Sequence, residues 1–222
     1  MVRVLKIFII AAVICMLCSC SWWKSYPVGR GAPADLYRNG IMYYQDGKYD
    51  KAVNEFLRLK EEYPLSKYAV LAELGVADSY YSSGEYMTAE SNYRDFMEFH
   101  PTNENLPYTM YQLGMCNYNQ MLGIDRDQTN TRRAIESFER LMARFPSSKF
   151  AFMAEQRLRE CKKRMGEHEF YVGYFYFKRG EYRAALSRFE NIMQNYANLG
   201  LDYKVSYFHH ETKRQLEKTE EH

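Results

Sequence analysis

Five histidines, His100, His168, His209, His210 and His222, are where hydrolytic or metal chemistry would begin in this chain. Activating a nucleophile requires a base beside a Ser or Cys, and none of the five stands in such a pattern. His209-His210 is the most metal-like pair. Adjacent residues on a helix nevertheless point about 100° apart, and the residues at i+4 are Lys213 and Arg214. The pair reads as a solvated helix face. Asp125-Arg126-Asp127 could offer carboxylates to a divalent ion, but it lacks the glycine and distal glutamate of a calcium loop. A surface loop with a local ion pair is the expectation there. Cys116 and Cys161 have no metal-ligand spacing and lie on helical patterns, so they read as buried free thiols rather than a disulfide. No enzyme, no metal and no cofactor is expected.

The remaining three cysteines sit near the start. Arg3 and Lys6 precede the apolar stretch Ile7 to Leu17, which has the length of a signal h-region. Spanning a bilayer takes roughly 20 apolar residues, so this stretch is too short. It ends in Leu17-Cys18-Ser19-Cys20, which resembles the bacterial lipobox. Residues 1–19 are expected to be removed and Cys20 to carry lipid, with residues 20–33, rich in Pro and Gly, as a tether to the first helix. Ser21 stands where an inner-membrane retention signal would place Asp, so the periplasmic face of the outer membrane is expected, with contact to the membrane through the lipid anchor. Two of the 30 Lys and Arg leave with residues 1–19, matching the 28 Asp and Glu. A neutral mature chain lacks the basic balance of a nucleic-acid binder.

The body of the chain repeats. Tyr43-Tyr44-Gln45-Asp46-Gly47-Lys48-Tyr49 recurs as Tyr80-Tyr81-Ser82-Ser83-Gly84-Glu85-Tyr86 and as Tyr176-Phe177-Lys178-Arg179-Gly180-Glu181-Tyr182. Each recurrence leads into a helix pattern of small, aromatic and aliphatic residues. The four copies are Ala52, Phe56, Leu59; Ala89, Tyr93, Phe96; Ala134, Phe138, Leu141; and Ala185, Phe189, Ile192. Spacing of three and four places these on one face. Gly40, Ala77, Gly114 and Gly173 are the small residues that let the preceding helix approach. Glycines 47, 84 and 180 make the turns, and prolines 64, 101 and 146 close the second helices. The pattern resembles the tetratricopeptide (TPR) repeat. It predicts an all-α, superhelical array of antiparallel helix pairs, with Tyr49, Tyr86, Tyr93 and Tyr182 in the core.

The period is uneven. Anchor alanines stand at 52, 89, 134 and 185, wider than the 34 residues of a plain array. One excess falls in the polar segment Leu122 to Asp127. The other contains Phe152, Leu158, Cys161, Met165 and Phe170 at helical spacing, which predicts one long helix over 149–179 of roughly 45 Å. Residues 34–146 then hold three repeats, and residues 147–222 hold the long helix and a C-terminal module.

With no chemistry to place, surfaces remain. Aligned on the small anchors, Tyr37, Tyr44, Tyr81, Tyr111 and Tyr118 fall on the concave face. Tyrosine combines apolar area with a polar tip and suits a peptide groove; equally, these rings could pack among themselves. Arg179, Arg183 and Arg188 start the C-terminal module, where they form either a solvated face or an interface.

Particular runs are more specific than the repeat. Gly123-Ile124-Asp125-Arg126-Asp127, His100-Pro101-Thr102 followed by Tyr108-Thr109-Met110-Tyr111, and Phe145-Pro146-Ser147-Ser148-Lys149 resemble the BamD (ComL) family, as does the long helix leading to Lys178-Arg179-Gly180-Glu181-Tyr182. The resemblance implies a non-catalytic lipoprotein subunit of the machinery that inserts β-barrels into the outer membrane. It implies that repeats one to three meet the C-terminal strand of unfolded outer membrane proteins, and that the C-terminal module docks on the POTRA domains of BamA. Arg188 takes the place of the arginine that pairs with a carboxylate there. Contacts to other assembly lipoproteins would need a fifth repeat, of which this sequence carries one helix after residue 198. The competing reading is a periplasmic TPR lipoprotein that scaffolds cell-wall enzymes.

Overall fold

The computed structural model describes residues 31–220, so the signal segment, Cys20 and most of the tether lie outside the described residues. Among those residues there are nine helices and no strand. They are α1 (Pro33–Gln45), α2 (Tyr49–Glu62), α3 (Lys67–Ser82), α4 (Tyr86–Phe99), α5 (Leu106–Asn119), α6 (Thr129–Arg144), α7 (Lys149–Lys178), α8 (Tyr182–Asn195) and α9 (Asp202–Glu220). Each helix packs on the next, and α1 also touches α3, α5 touches α7 and α7 touches α9. The odd-numbered helices therefore form an inner layer and the even-numbered ones an outer layer, the arrangement of a TPR superhelix.

The turns follow from backbone sterics. Gly47, Gly84 and Gly180 have φ of +72°, +87° and +75°, a region that side chains disfavour. Three outer helices end one residue before the residue that precedes Pro64, Pro101 and Pro146, at Glu62, Phe99 and Arg144, as expected when proline restricts its predecessor. Ser66 and Ser148 then cap the next helices, accepting from the backbone N–H of Tyr68 and Ala151.

Between layers the small anchors let aromatic rings lie flat on helix backbone. A Cβ added to Gly40 would stand 2.4 Å from Phe56, and one added to Gly114 would stand 2.4 Å from Phe138. Phe56, Phe138 and Phe189 are fully buried, each stabilising the fold by about 1.5–3 kcal/mol. Each makes the centre of a local core, so stability is distributed along the array.

The tyrosines expected in that core divide. Tyr93 is fully buried, whereas Tyr49, Tyr86 and Tyr182 are half-buried. The latter lie beside the tight turns, edge-on to the last aromatic ring of the preceding inner helix: Tyr44 with Tyr49 at 5.7 Å, Tyr81 with Tyr86 at 5.4 Å and Phe177 with Tyr182 at 5.9 Å. These pairs brace the turn, and Tyr86 also packs against the repeat-two core.

The long helix spans Lys149–Lys178 without interruption at Gly166. Gly166 is buried in van der Waals reach of Tyr196 and Leu201, so its small size serves packing. Phe152 departs from expectation at 67% exposure. Ala151 and Ala154, three apart, take the inward face and turn Phe152 out.

The segment between α5 and α6 is a loop, but its ordering differs from the expected local ion pair. Among the described residues no ion pair forms within Asp125-Arg126-Asp127. Buried Gln128 instead donates to the carbonyls of Gly123 (2.7 Å) and Arg126 (3.0 Å) and accepts from Thr131. From α7, Arg164 donates to the Leu122 carbonyl (2.7 Å) and His168 Nδ1 to that of Ile124 (2.6 Å). The His209-His210 expectation also needs correction. Only His210 is exposed; His209 is half-buried with Nε2 3.5 Å from Glu190. Cys116 and Cys161 are free and buried.

Candidate binding surfaces

Four of the five expected tyrosines on the inner helices of repeats one to three are half-buried and braced. Tyr37 packs between Phe56 (5.9 Å) and Tyr68 (5.4 Å). Burial, and then the charge of Asp78, push its hydroxyl pKa up. The Tyr44 hydroxyl is 2.9 Å from Ser82 Oγ, joining α1 to α3. The Tyr81 hydroxyl accepts from Asn119 at 2.7 Å, joining α3 to α5. Tyr118 donates to Glu160 at 2.5 Å, with the Arg157 guanidinium 5.2 Å over its ring. A ladder of hydroxyl bonds therefore runs from each inner helix to the next.

Tyr111 does not belong with them. It is only 8% exposed, with its ring 6.0 Å from both Phe138 and Phe150. The start of the long helix supplies Phe150 as a wall over it, so it packs in the repeat-three core.

One inner-face residue was missed from the sequence. Asp78 Oδ1 accepts hydroxyl bonds from Tyr93 and Tyr108, each 2.6 Å, and Gln112 donates to the Tyr108 oxygen at 3.2 Å. Burial raises the Asp78 pKa while the two hydroxyls pull it down, burial being the larger effect. A readable signal existed. Asp78 directly follows the anchor Ala77, and the residues after the other anchors are Ile41, Met115 and Tyr174, so the carboxylate is the odd member of an apolar column.

The three arginines are not brought together. Arg188 Nη1 lies 2.9 Å from Glu169 Oε2 and 3.3 Å from Oε1. Its guanidinium borders an open depression of about 520 Å³ shared with Tyr176, Ser187, Asn191 and Gln194. Arg183 is exposed and borders a separate depression beside Leu216 and Thr219. Arg179 is exposed, 3.0 Å from Glu181 and 5.4 Å over Phe175. Among the described residues no group of three His, Cys, Asp or Glu is placed to hold a metal ion, and no helix is long and apolar enough to cross a membrane.

The helical array defines a TPR-class scaffold. The family model described as "YfiO: Outer membrane lipoprotein" matches residues 30–221, and the chain belongs to that family. Among relatives, it is 29% identical over 163 residues to "Outer membrane protein assembly factor BamD" of Rickettsia prowazekii, and 30% identical over 173 residues to the protein of the same description from Neisseria meningitidis serogroup A. Each alignment covers 73% of this chain and 65% of the relative, so the chain spans just under two thirds of their length. The TPR2AB domain of yeast Sti1, solved in complex with pHSP90, overlays on 83% of this chain and 70% of its own with a TM-score of 0.48 and 15% identity.

Proposed function

We propose that this protein is a non-catalytic assembly factor for outer membrane β-barrel proteins, anchored by lipid on Cys20 to the periplasmic face of the outer membrane. In this reading the concave face of α1, α3 and α5 holds an extended C-terminal segment of an unfolded barrel protein. The module of α7, α8 and α9 docks through Arg188 on the POTRA domains of BamA. The observation that carries the groove is the row of four half-buried tyrosines, three of them hydroxyl-bonded to the next inner helix and Tyr37 held by ring contacts. Their rings are already ordered by partners on the neighbouring helix, so a peptide that covers them gains contact area with little further loss of side-chain freedom. A face built only for solvent would have no use for four such rings. The relatives described as assembly factors support the larger role, and membership of an outer membrane lipoprotein family supports the location.

The test is site-specific photo-crosslinking in the envelope of the native host, with the crosslinker at Tyr44 and separately at Arg188. The expected products are barrel precursors from the first position and BamA from the second. Enrichment of cell-wall enzymes with neither product would overturn the proposal. Mass measurement of the membrane-bound chain should show loss of residues 1–19 and acyl mass on Cys20.

A further inference from the structure

The tyrosine face includes a carboxylate, Asp78, that no basic side chain among the described residues pairs with. Asp78 stands one turn before the end of α3, with α1 on one side and α5 on the other. Both of its hydroxyl donors, Tyr93 and Tyr108, converge on Oδ1. Its other oxygen, Oδ2, accepts no hydrogen bond among the described residues, yet it is not among the side-chain atoms sealed from solvent without a partner. That oxygen therefore keeps contact with solvent.

No Lys, Arg or His among the described residues pairs with Asp78, although thirteen such pairs form elsewhere along the array. Two neutral hydroxyls supply dipoles but leave the net charge in place. A partly desolvated carboxylate in that state is unfavourable until a cation arrives.

The surroundings suit a cation on an apolar stem. Tyr37 feels the charge of Asp78. Tyr44 reaches Ser82, which lies one turn along α3 from Asp78. Tyr108 brings its hydroxyl to the same carboxylate from α5. Aromatic faces attract ammonium and guanidinium groups, and the methylene stem of Lys or Arg can lie along the rings while its head reaches the oxygen.

We infer that Asp78 is the specificity point of the groove, and that Oδ2 receives the side chain of a Lys or Arg in an extended peptide whose flanking residues lie on Tyr37, Tyr44 and Tyr108. This rests on the peptide-groove reading given above and adds to it a charge requirement on the peptide. Tyr93 and Tyr108 act as positioning residues that hold Oδ1 and so turn Oδ2 outward.

The experiment measures fluorescence anisotropy with the full chain in detergent. The probes are labelled nine-residue peptides with alternating aromatic residues, carrying one lysine at each possible position in turn, and matched peptides with norleucine in its place. The best lysine peptide should bind about tenfold more tightly than its norleucine partner. Asp78→Asn, which still offers an oxygen to both tyrosines, should abolish that preference while leaving affinity for the norleucine peptide unchanged. Tyr108→Phe, which removes one of the two bonds on Oδ1, should narrow the preference, and circular dichroism of each variant separates loss of charge from loss of fold. Equal binding of lysine and norleucine peptides at every position, or an undiminished preference in Asp78→Asn, would overturn the inference and leave the groove standing. Failure of every peptide to bind the unmutated chain would remove the groove as well.

Discussion

Arg188 and Glu169 hold each other across the α7–α8 pair: the guanidinium side chain is 42% exposed and the carboxylate side chain only 10%. Glu169 thus fixes one nitrogen of Arg188 and orients the group toward the depression beside it. An arginine held this way can still offer its remaining donors to a partner's carboxylate, which a lysine at the same place could not do for two carboxylates with fixed geometry.

Arg188 is expected to serve both fold and docking, and two substitutions separate these. Arg188→Ala leaves Glu169 nearly buried without its partner and should lower unfolding stability by about 1–2 kcal/mol, less than a fully buried pair because the guanidinium is half in solvent. Arg188→Lys keeps a charge beside Glu169 and should stay near wild-type stability. It should nonetheless weaken binding to BamA POTRA domains at least about tenfold, if the pairing is desolvated. Urea unfolding and calorimetry read the two effects. Wild-type docking by Arg188→Lys would leave Arg188 with the structural role alone.

Tyr44 and Tyr118 test the groove more cleanly than Tyr111. The double variant Tyr44→Ala with Tyr118→Ala should remain helical by circular dichroism and weaken binding of a barrel C-terminal peptide ending in Phe by about 1–3 kcal/mol. Tyr111→Ala should instead lower stability by about 3 kcal/mol, since it empties space between Phe138 and Phe150. Unaltered peptide affinity in the folded double variant would make these rings packing residues only.

Gly114 should tolerate no side chain. A Cβ there would meet Phe138 Cε1 at 2.4 Å and Cδ1 at 2.7 Å, and that ring is fully buried. Gly114→Ala is therefore expected to destabilise by about 1–2 kcal/mol despite alanine's better helix propensity. Combined with Phe138→Leu, which vacates the ring edge, the loss should be smaller than the sum of the two single changes. Additive thermal shifts would show that the layers do not meet as closely as the geometry requires.

Cys116 and Cys161 should be inert in the native protein. Burial pushes both thiols up to about 12, so at pH 8 almost none is thiolate, the reactive form. Iodoacetamide labelling read by peptide mass should leave both unmodified until denaturant is added. The labelled fraction should follow unfolding rather than rise smoothly with pH between 7 and 9. Rapid native labelling of either would contradict the burial.

The repeat and its elements were legible because they depend on local chemistry. Gly47, Gly84 and Gly180 mark the turns by backbone freedom, Pro64, Pro101 and Pro146 end helices by steric exclusion, and the Ala52-Phe56-Leu59 spacing and its three copies place one apolar stripe on each outer helix. The long helix was equally readable, having no proline across its length. The concave face was legible only as a column of positions, since the small anchors set the phase of each inner helix.

What the positions do was decided by neighbours far apart in sequence. Tyr111 and Tyr118 sit on the same helix at comparable register, and Phe150 and Glu160, both supplied by α7, bury the first and bond the second. Asp78 is held by Tyr93 and Tyr108, 15 and 30 residues away. Glu169 claims Arg188 from the opposite layer. Periodicity determines which face of a helix a residue occupies, because that is a property of one helix. Whether the residue on that face is covered, paired or left open depends on the side chain that the adjoining helix delivers, and only the packing of the layers determines that.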